Sequence, residues 1–318
     1  MPTGLMTPTS EETTAARAYL STDEEIHLMR TFVEEVAIWM DVLDSEKHFV
    51  NTIPCLALKL PMLLNALLAC GARHLTMIGV QDNQKAEYCY DLAIAQLQRN
   101  QEGDCDLSSC ALTAVVLDAY HIMDKTPAQS MRAITSTRVL IQKCGWDASS
   151  TGLPAACFWV NTNMEVLNCI SLNRPTSWNP DEWGMDLEFT TLAASSHSGS
   201  RSELGDVLDG DGGNHALIPD TTPESGDEEL WLQRIFYVLA KVVNFRASDP
   251  RLKEPSSHDE DTQSEDRFAQ WNRLQSMCKA WNDHCPRSMK PYGYSSAPSA
   301  KSLFPNVWLL KPPQPSPA

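Results

Sequence analysis

Apolar residues recur every three or four positions along most of this chain, and sustained apolar–polar alternation is missing. That spacing places them on one side of a helix rather than one face of a strand. Ser21 and Glu24 have capping-box spacing, and Ile26, Met29, Val33, Val36, Met40 and Leu43 follow as one face, with Glu34, Glu35 and Asp41 near the other. A turn is expected at Asp44 to Glu46. The most apolar stretch, Ile53 to Cys70, reads as a buried core helix; Pro54, Lys59, Pro61 and Asn65 interrupt it before it would cross a bilayer. From Pro61 to Leu75 the pattern is apolar nearly all round, so neighbours must cover this helix on most sides. Small Ala69, Gly71 and Ala72 allow another helix to approach closely. Further helices are predicted at about Gln84–Gln98, Leu107–Met123, Ala128–Cys144 and Pro154–Leu172, with Gly145 suited to a left-handed cap and Arg174-Pro175 stopping the last.

The pattern breaks at 193–226, where Ser, Gly, Asp and Pro replace the apolar positions; a mobile acidic insertion is expected there. A helix resumes with capping-box spacing at Ser225 and Glu228 and an inward stripe of Leu232, Ile235, Leu239, Val242 and Phe245. After a polar gap at 248–261, Phe268, Trp271, Leu274, Cys278 and Trp281 have heptad-like spacing, so these two late helices are expected to pair. Eight of the 20 prolines fall from Pro286 onward. Three regions follow: a disordered segment at 1–20, an all-α multi-helix domain at 21–285, and a proline-rich tail at 286–318.

Composition narrows the function. The formal net charge is −16, and 18 acidic against 6 basic residues between Asp186 and Asp266 account for −12 of it. No two Lys or Arg residues are adjacent, and Arg251 with Lys253 is the densest basic cluster. Phosphate-backbone affinity comes largely from such cations, so direct DNA binding by this chain is not expected. The first 20 residues have no apolar run, which excludes a secretory signal there and leaves an intracellular protein without a membrane segment as the expectation. Ten cysteines scattered over apolar segments read as buried thiols rather than a disulfide framework.

A binuclear zinc cluster needs closely paired thiolates, and no Cys-x-x-Cys occurs in the sequence. Cys105 with Cys110, and Cys278 with Cys285 beside His284, are too isolated to complete a four-ligand site. Motifs for nucleophile elbows, metalloproteases, phosphate-binding loops and dinucleotide folds are lacking as well. His258-Asp-Glu-Asp261 reads as a solvated charge run rather than a magnesium site. The acidic residues among Leu204, Val207, Leu208, Leu217 and Ile218 read first as a loop, with a coactivator-contacting segment as the alternative. No catalytic, cofactor-binding or metal-binding residue is therefore assigned, and no cofactor is expected.

Several stretches nevertheless carry a recognisable pattern: Leu63-Leu-Asn-Ala-Leu-Leu-Ala-Cys-Gly-Ala-Arg-His-Leu75, Tyr90-Asp-Leu-Ala93, Ala156-Cys-Phe-Trp-Val160 through Glu165 to Asn173-Arg-Pro175, Trp183, and Trp271 to Pro286. Together they resemble the fungal-specific transcription factor domain that follows the Zn2Cys6 DNA-binding region of many fungal regulators. The resemblance, spread over about Asp23 to Pro305, implies an all-α regulatory domain in the nucleus that acts through the transcription machinery, a partner regulator or a small-molecule effector. It departs from the family in lacking the zinc cluster and in ending on a proline tail near Phe304-Pro-Asn-Val-Trp308, as a truncated gene product or a regulator-like protein that lost its DNA-binding end would. A pairing of Arg174 with Glu165 is a further expectation. Two alternatives stand beside the regulatory reading: a helical scaffold or interfering partner of a full-length regulator, and an all-helical magnesium-dependent synthase.

Overall fold

The computed structural model describes residues 20–102, 106–189, 227–248, 260–290, 293–296 and 306–309. The architecture is all-α, and the chain divides into two compact units, Met1–Met185 and Asp186–Ala318. The segments 1–19, 193–226 and 249–259, on which the expectations of a disordered start, an acidic insertion and most of a polar gap fall, lie outside the described residues.

The first unit opens with α1 (Asp23–Thr31), capped one residue later than the sequence spacing indicates. Thr22, not Ser21, accepts from the Glu25 N–H at 3.1 Å, and the Glu25 carboxylate reaches back to the Ser21 N–H at 2.8 Å. A π-helical segment, Phe32–Val36, then leads into α2 (Ala37–Met40) and a 3-10 turn, Asp41–Leu43. The buried face becomes Leu28, Met29, Phe32, Val36, Ala37, Met40 and Leu43, whereas Ile26 of the anticipated stripe is exposed. The helix turns about its axis where the wider π turn absorbs an extra residue, and a constant 3.6-residue period misses that rotation.

The apolar stretch Ile53 to Cys70 is two helices, not one: α3 (His48–Ala57) and α4 (Pro61–Met77), parted by a turn at Leu58 to Leu60. Two carboxylates hold the start of α3. Asp41 accepts from the N–H groups of Phe49 and Val50, both at 2.9 Å, and Asp44 accepts from the His48 N–H at 2.7 Å and faces its ring Nδ1 at 2.9 Å. They satisfy donors that the first turn of a helix cannot pair internally. Burial pushes the Asp41 carboxyl up to about 6 despite those two backbone donors.

α4 is the axis of this unit, buried from Met62 to Ala72 on every side and packed against α1, α3, α5 (Gln84–Glu102) and α6 (Leu107–Asp124). Gly71 makes this possible: a Cβ there would lie 2.1 Å from the Leu28 carbonyl oxygen of α1, so a side chain at this position drives the two helices apart. α7 (Pro127–Lys143) and α8 (Leu153–Leu172) complete the packing. Gly145 has φ +70°, as its cap role requires, and Asn173 at φ 50° closes α8, where the Arg174 N–H donates to the Cys169 carbonyl at 3.1 Å. Phe158, Trp159 and Trp183 are buried edge to face, with ring centroids 5.0–6.1 Å apart.

In the second unit, α9 (Glu228–Ala247) and α10 (Glu260–His284) pair antiparallel, as expected for the late helices. Trp281 Nε1 donates to the Trp231 carbonyl at 2.7 Å, and the Arg267 guanidinium lies 4.1 Å from the Phe245 ring centre. The faces differ from the sequence expectation. Trp231, Arg234, Tyr237, Val238, Ala240 and Val243 are buried on α9, while the expected stripe from Leu232 to Phe245 is only half-buried; on α10, Phe268, Trp271 and Cys278 are exposed and Leu274 and Ala280 are buried. Glu228 is the first helical residue of α9 rather than the third, and accepts from Ser288 Oγ at 2.7 Å. The proline-rich segment is not all irregular: β1 (Gly293–Ser296) and β2 (Asn306–Leu309) pair antiparallel, Tyr294 opposite Trp308.

Candidate functional site

α8 presents polar side chains on two sides. Toward α6 and α7 it carries Asn161, Thr162 and Glu165, all fully buried. Arg138 of α7 donates through Nη2 to Glu165 Oε2 at 3.0 Å and through Nη1 to Thr162 Oγ1 at 3.1 Å. The other Glu165 oxygen accepts the Ser177 N–H at 2.6 Å, tying the segment after α8 to the same charge. Asp118 of α6 accepts from Thr137 Oγ1 and Asn161 Nδ2, each at 3.0 Å. Phe158 and Trp178 rings flank the guanidinium, both centres 5.6 Å away. Burial pushes the Asp118 carboxyl up to about 8, against the pull of Thr137, Asn161 and Arg138. Burial thus favours the neutral form of Asp118, and the ion pair of this cluster is Arg138 with Glu165. This cluster joins three helices and has no access to solvent.

The opposite side of α8 lines a cleft of about 450 Å3. Its walls are Trp39 of α2, His74 and Met77 of α4, Ile122 and Met123 of α6, and Asn163, Met164, Leu167, Asn168 and Ser171 of α8. Met77 and Leu167 are 58% and 52% exposed, so apolar surface faces solvent here without a structural partner. The polar groups are few: the His74 ring has its Nε2 4.0 Å from Glu35 Oε2, Ser171 Oγ donates to the Leu167 carbonyl, Asn168 Nδ2 donates to the Met164 carbonyl, and Asn163 Oδ1 is buried with no partner. No Lys, Arg, Asp or Glu is in the lining. The size and the mixture of apolar wall with isolated polar atoms suit a small-molecule site.

A family model, the fungal specific transcription factor domain, matches residues 27–199. The chain belongs to that family. No curated protein and no solved structure matches the chain. Membership in the fungal transcription factor domain family points to transcription regulation rather than catalysis, and the matched residues contain α2 to α8, the buried cluster and the whole cleft.

Within this family domain the residues singled out by sequence take varied places. Glu165 pairs with Arg138 of α7, and Arg174, exposed beyond the end of α8, does not reach it. Helical spacing shows only neighbours three or four residues apart, and Arg138 is 27 residues upstream. Cys110 and Cys285 are buried; Cys55 and Cys278 are exposed, so the expectation of buried thiols fails for those two. His284 turns its Nδ1 to the Ala280 carbonyl of its own helix at 2.9 Å. Cys105, the side chains of His258 to Asp261, and Leu204 to Ile218 lie outside the described residues. Among the described residues no group of three His, Cys, Asp or Glu is arranged to hold a metal ion, and no helix is long and apolar enough to cross a membrane. The cleft went unseen because four helices contribute to it, each with residues that read in sequence as ordinary core. Asn163 and Asn168 are five residues apart, about 140° around the helix, and are mixed with Asn161, Thr162 and Glu165, so no spacing along α8 marks the cleft.

Proposed function

We propose that this chain is the regulatory or effector domain of a Zn2Cys6-type fungal transcription regulator, acting in the nucleus without a DNA-binding cluster of its own and without chemistry of its own. It works through contacts with the transcription machinery or a partner regulator, or in response to a small-molecule effector. The family match over residues 27–199 carries this reading, because it covers the helical body in which the cleft lies. Two sequence features support it. No Cys-x-x-Cys pair is available for a binuclear zinc site, and a net charge of −16 disfavours phosphate contact. DNA contact then comes from another polypeptide or another segment, and this domain adds the regulatory output.

Fusion of the chain to an unrelated DNA-binding module tests the reading directly. A reporter carrying that module's site is expected to change expression when the fusion is present. Deleting 195–226 then assigns the output: loss implicates the acidic segment, persistence the helices. A folded, nuclear fusion that neither activates nor represses under any nutrient condition overturns the regulatory reading and leaves the scaffold alternative.

A further inference from the structure

We infer that the cleft between α2, α4, α6 and α8 binds an uncharged, largely apolar small molecule that carries one hydrogen-bond donor; this rests on the regulatory reading only for its biological purpose. Charge decides first. With no Lys, Arg, Asp or Glu in the lining, and with its one imidazole, His74, lying 4.0 Å from the Glu35 carboxylate, a carboxylate, phosphate or ammonium ligand would lose its hydration without a free compensating ion. Shape and wall chemistry decide next. Trp39 offers a flat aromatic surface, and Met77, Met123 and Met164 are unbranched thioethers that adapt to an apolar guest. The hydrogen-bonding inventory decides the rest. Ser171 and Asn168 already donate to carbonyls of their own helix, whereas the Asn163 amide oxygen is buried and unpartnered. The terminal torsion of an Asn side chain is soft, so a modest turn brings that oxygen to an occupant. A hydroxyl or N–H on the ligand then pairs an acceptor that otherwise has none. Two half-exposed walls, Met77 and Leu167, mark the entrance, and both are at positions where a substitution need not disturb the core.

The test uses the full chain labelled with 13C at its methionine methyl groups, and 2-naphthol as the probe. 2-Naphthol is expected to shift the methyl signals of Met77, Met123 and Met164 saturably. 2-Methoxynaphthalene, which has the same ring system without the donor, is expected to bind up to about tenfold more weakly. 2-Naphthoate, which is charged, is expected to produce no saturable shift. Leu167→Arg places a cation in the entrance and is expected to weaken 2-naphthol at least about tenfold, while Asn163→Leu abolishes the difference between naphthol and its methyl ether. The inference is overturned if 2-naphthol shifts methionines away from the cleft equally, if naphthoate binds as well as naphthol, or if Leu167→Arg leaves binding intact. It is also overturned if Leu167→Arg instead converts a dimer to a monomer in sedimentation with no effect on naphthol, since the cleft is then an interface between copies. None of these outcomes depends on reporter activity, so a failure here leaves the regulatory reading standing, and a silent reporter leaves the binding result standing.

Discussion

Asn161 and Glu165 lie on one side of α8, Asn163 and Leu167 on the other, since two residues along a helix turn about 200°. The first side is closed: Glu165 is 0% exposed and joined to Arg138, Thr162 by way of the same guanidinium, and the Ser177 backbone. The second side is open, with Leu167 52% exposed among methionines. Removing a charge from the first side disturbs the fold, because its partners have no water to turn to. Altering the second side disturbs little that holds the fold, and such apolar surface marks a place of contact with something else. The side that holds the fold and the side that lines the cleft are thus separable on a single helix.

The largest effect belongs to the closed side. Arg138→Met leaves Glu165 buried without its cation, and a loss of about 3–5 kcal/mol in unfolding free energy is expected by urea titration. A loss below about 1 kcal/mol would show that solvent reaches this cluster and that the two sides of α8 are not distinct.

Asp118 gives a second measurement on the same side. Its folded carboxyl titrates at about 8, above the ordinary aspartate value near 3.9 in an unfolded chain, so the folded state holds the proton more tightly. Its contribution to stability is fully present below about pH 4, falls as pH rises, and is lost once pH passes about 8. Asp118→Asn cannot lose that proton. Its stability relative to wild type is expected to rise by up to about 1.4 kcal/mol per pH unit between pH 4 and 8 and to level off above. Parallel curves for the two proteins would mean that Asp118 stays ionised beside Arg138.

Much of this architecture was legible in the chain. Pro61 opens α4, Gly145 follows α7, and Pro175 lies just past the end of α8, because backbone restrictions act locally and show in one or two residues. The helical faces were legible only where the helix is regular: the π turn at Phe32–Val36 rotated the buried stripe, and the second half of α3 merged with an apolar run that contains Pro54. The functional geometry was the least legible part. Arg138 and Glu165 meet, and Met77 and Leu167 come to line one cleft, only through the packing of whole helices, and no local spacing encodes that. The resemblance in Leu63 to Leu75 and Ala156 to Pro175 carried the family further than any single residue carried the site.

The smallest effect on stability belongs to the open side, and it carries the most direct test. Leu167→Arg is expected to leave the unfolding free energy within about 0.5 kcal/mol of wild type, as for an ordinary surface change. Placed in the DNA-binding fusion at equal protein level, the same variant is expected to lose most of the reporter response that the wild-type fusion gives. A full wild-type response from Leu167→Arg would contradict the proposal that an occupant of this cleft contributes to the domain's regulatory output.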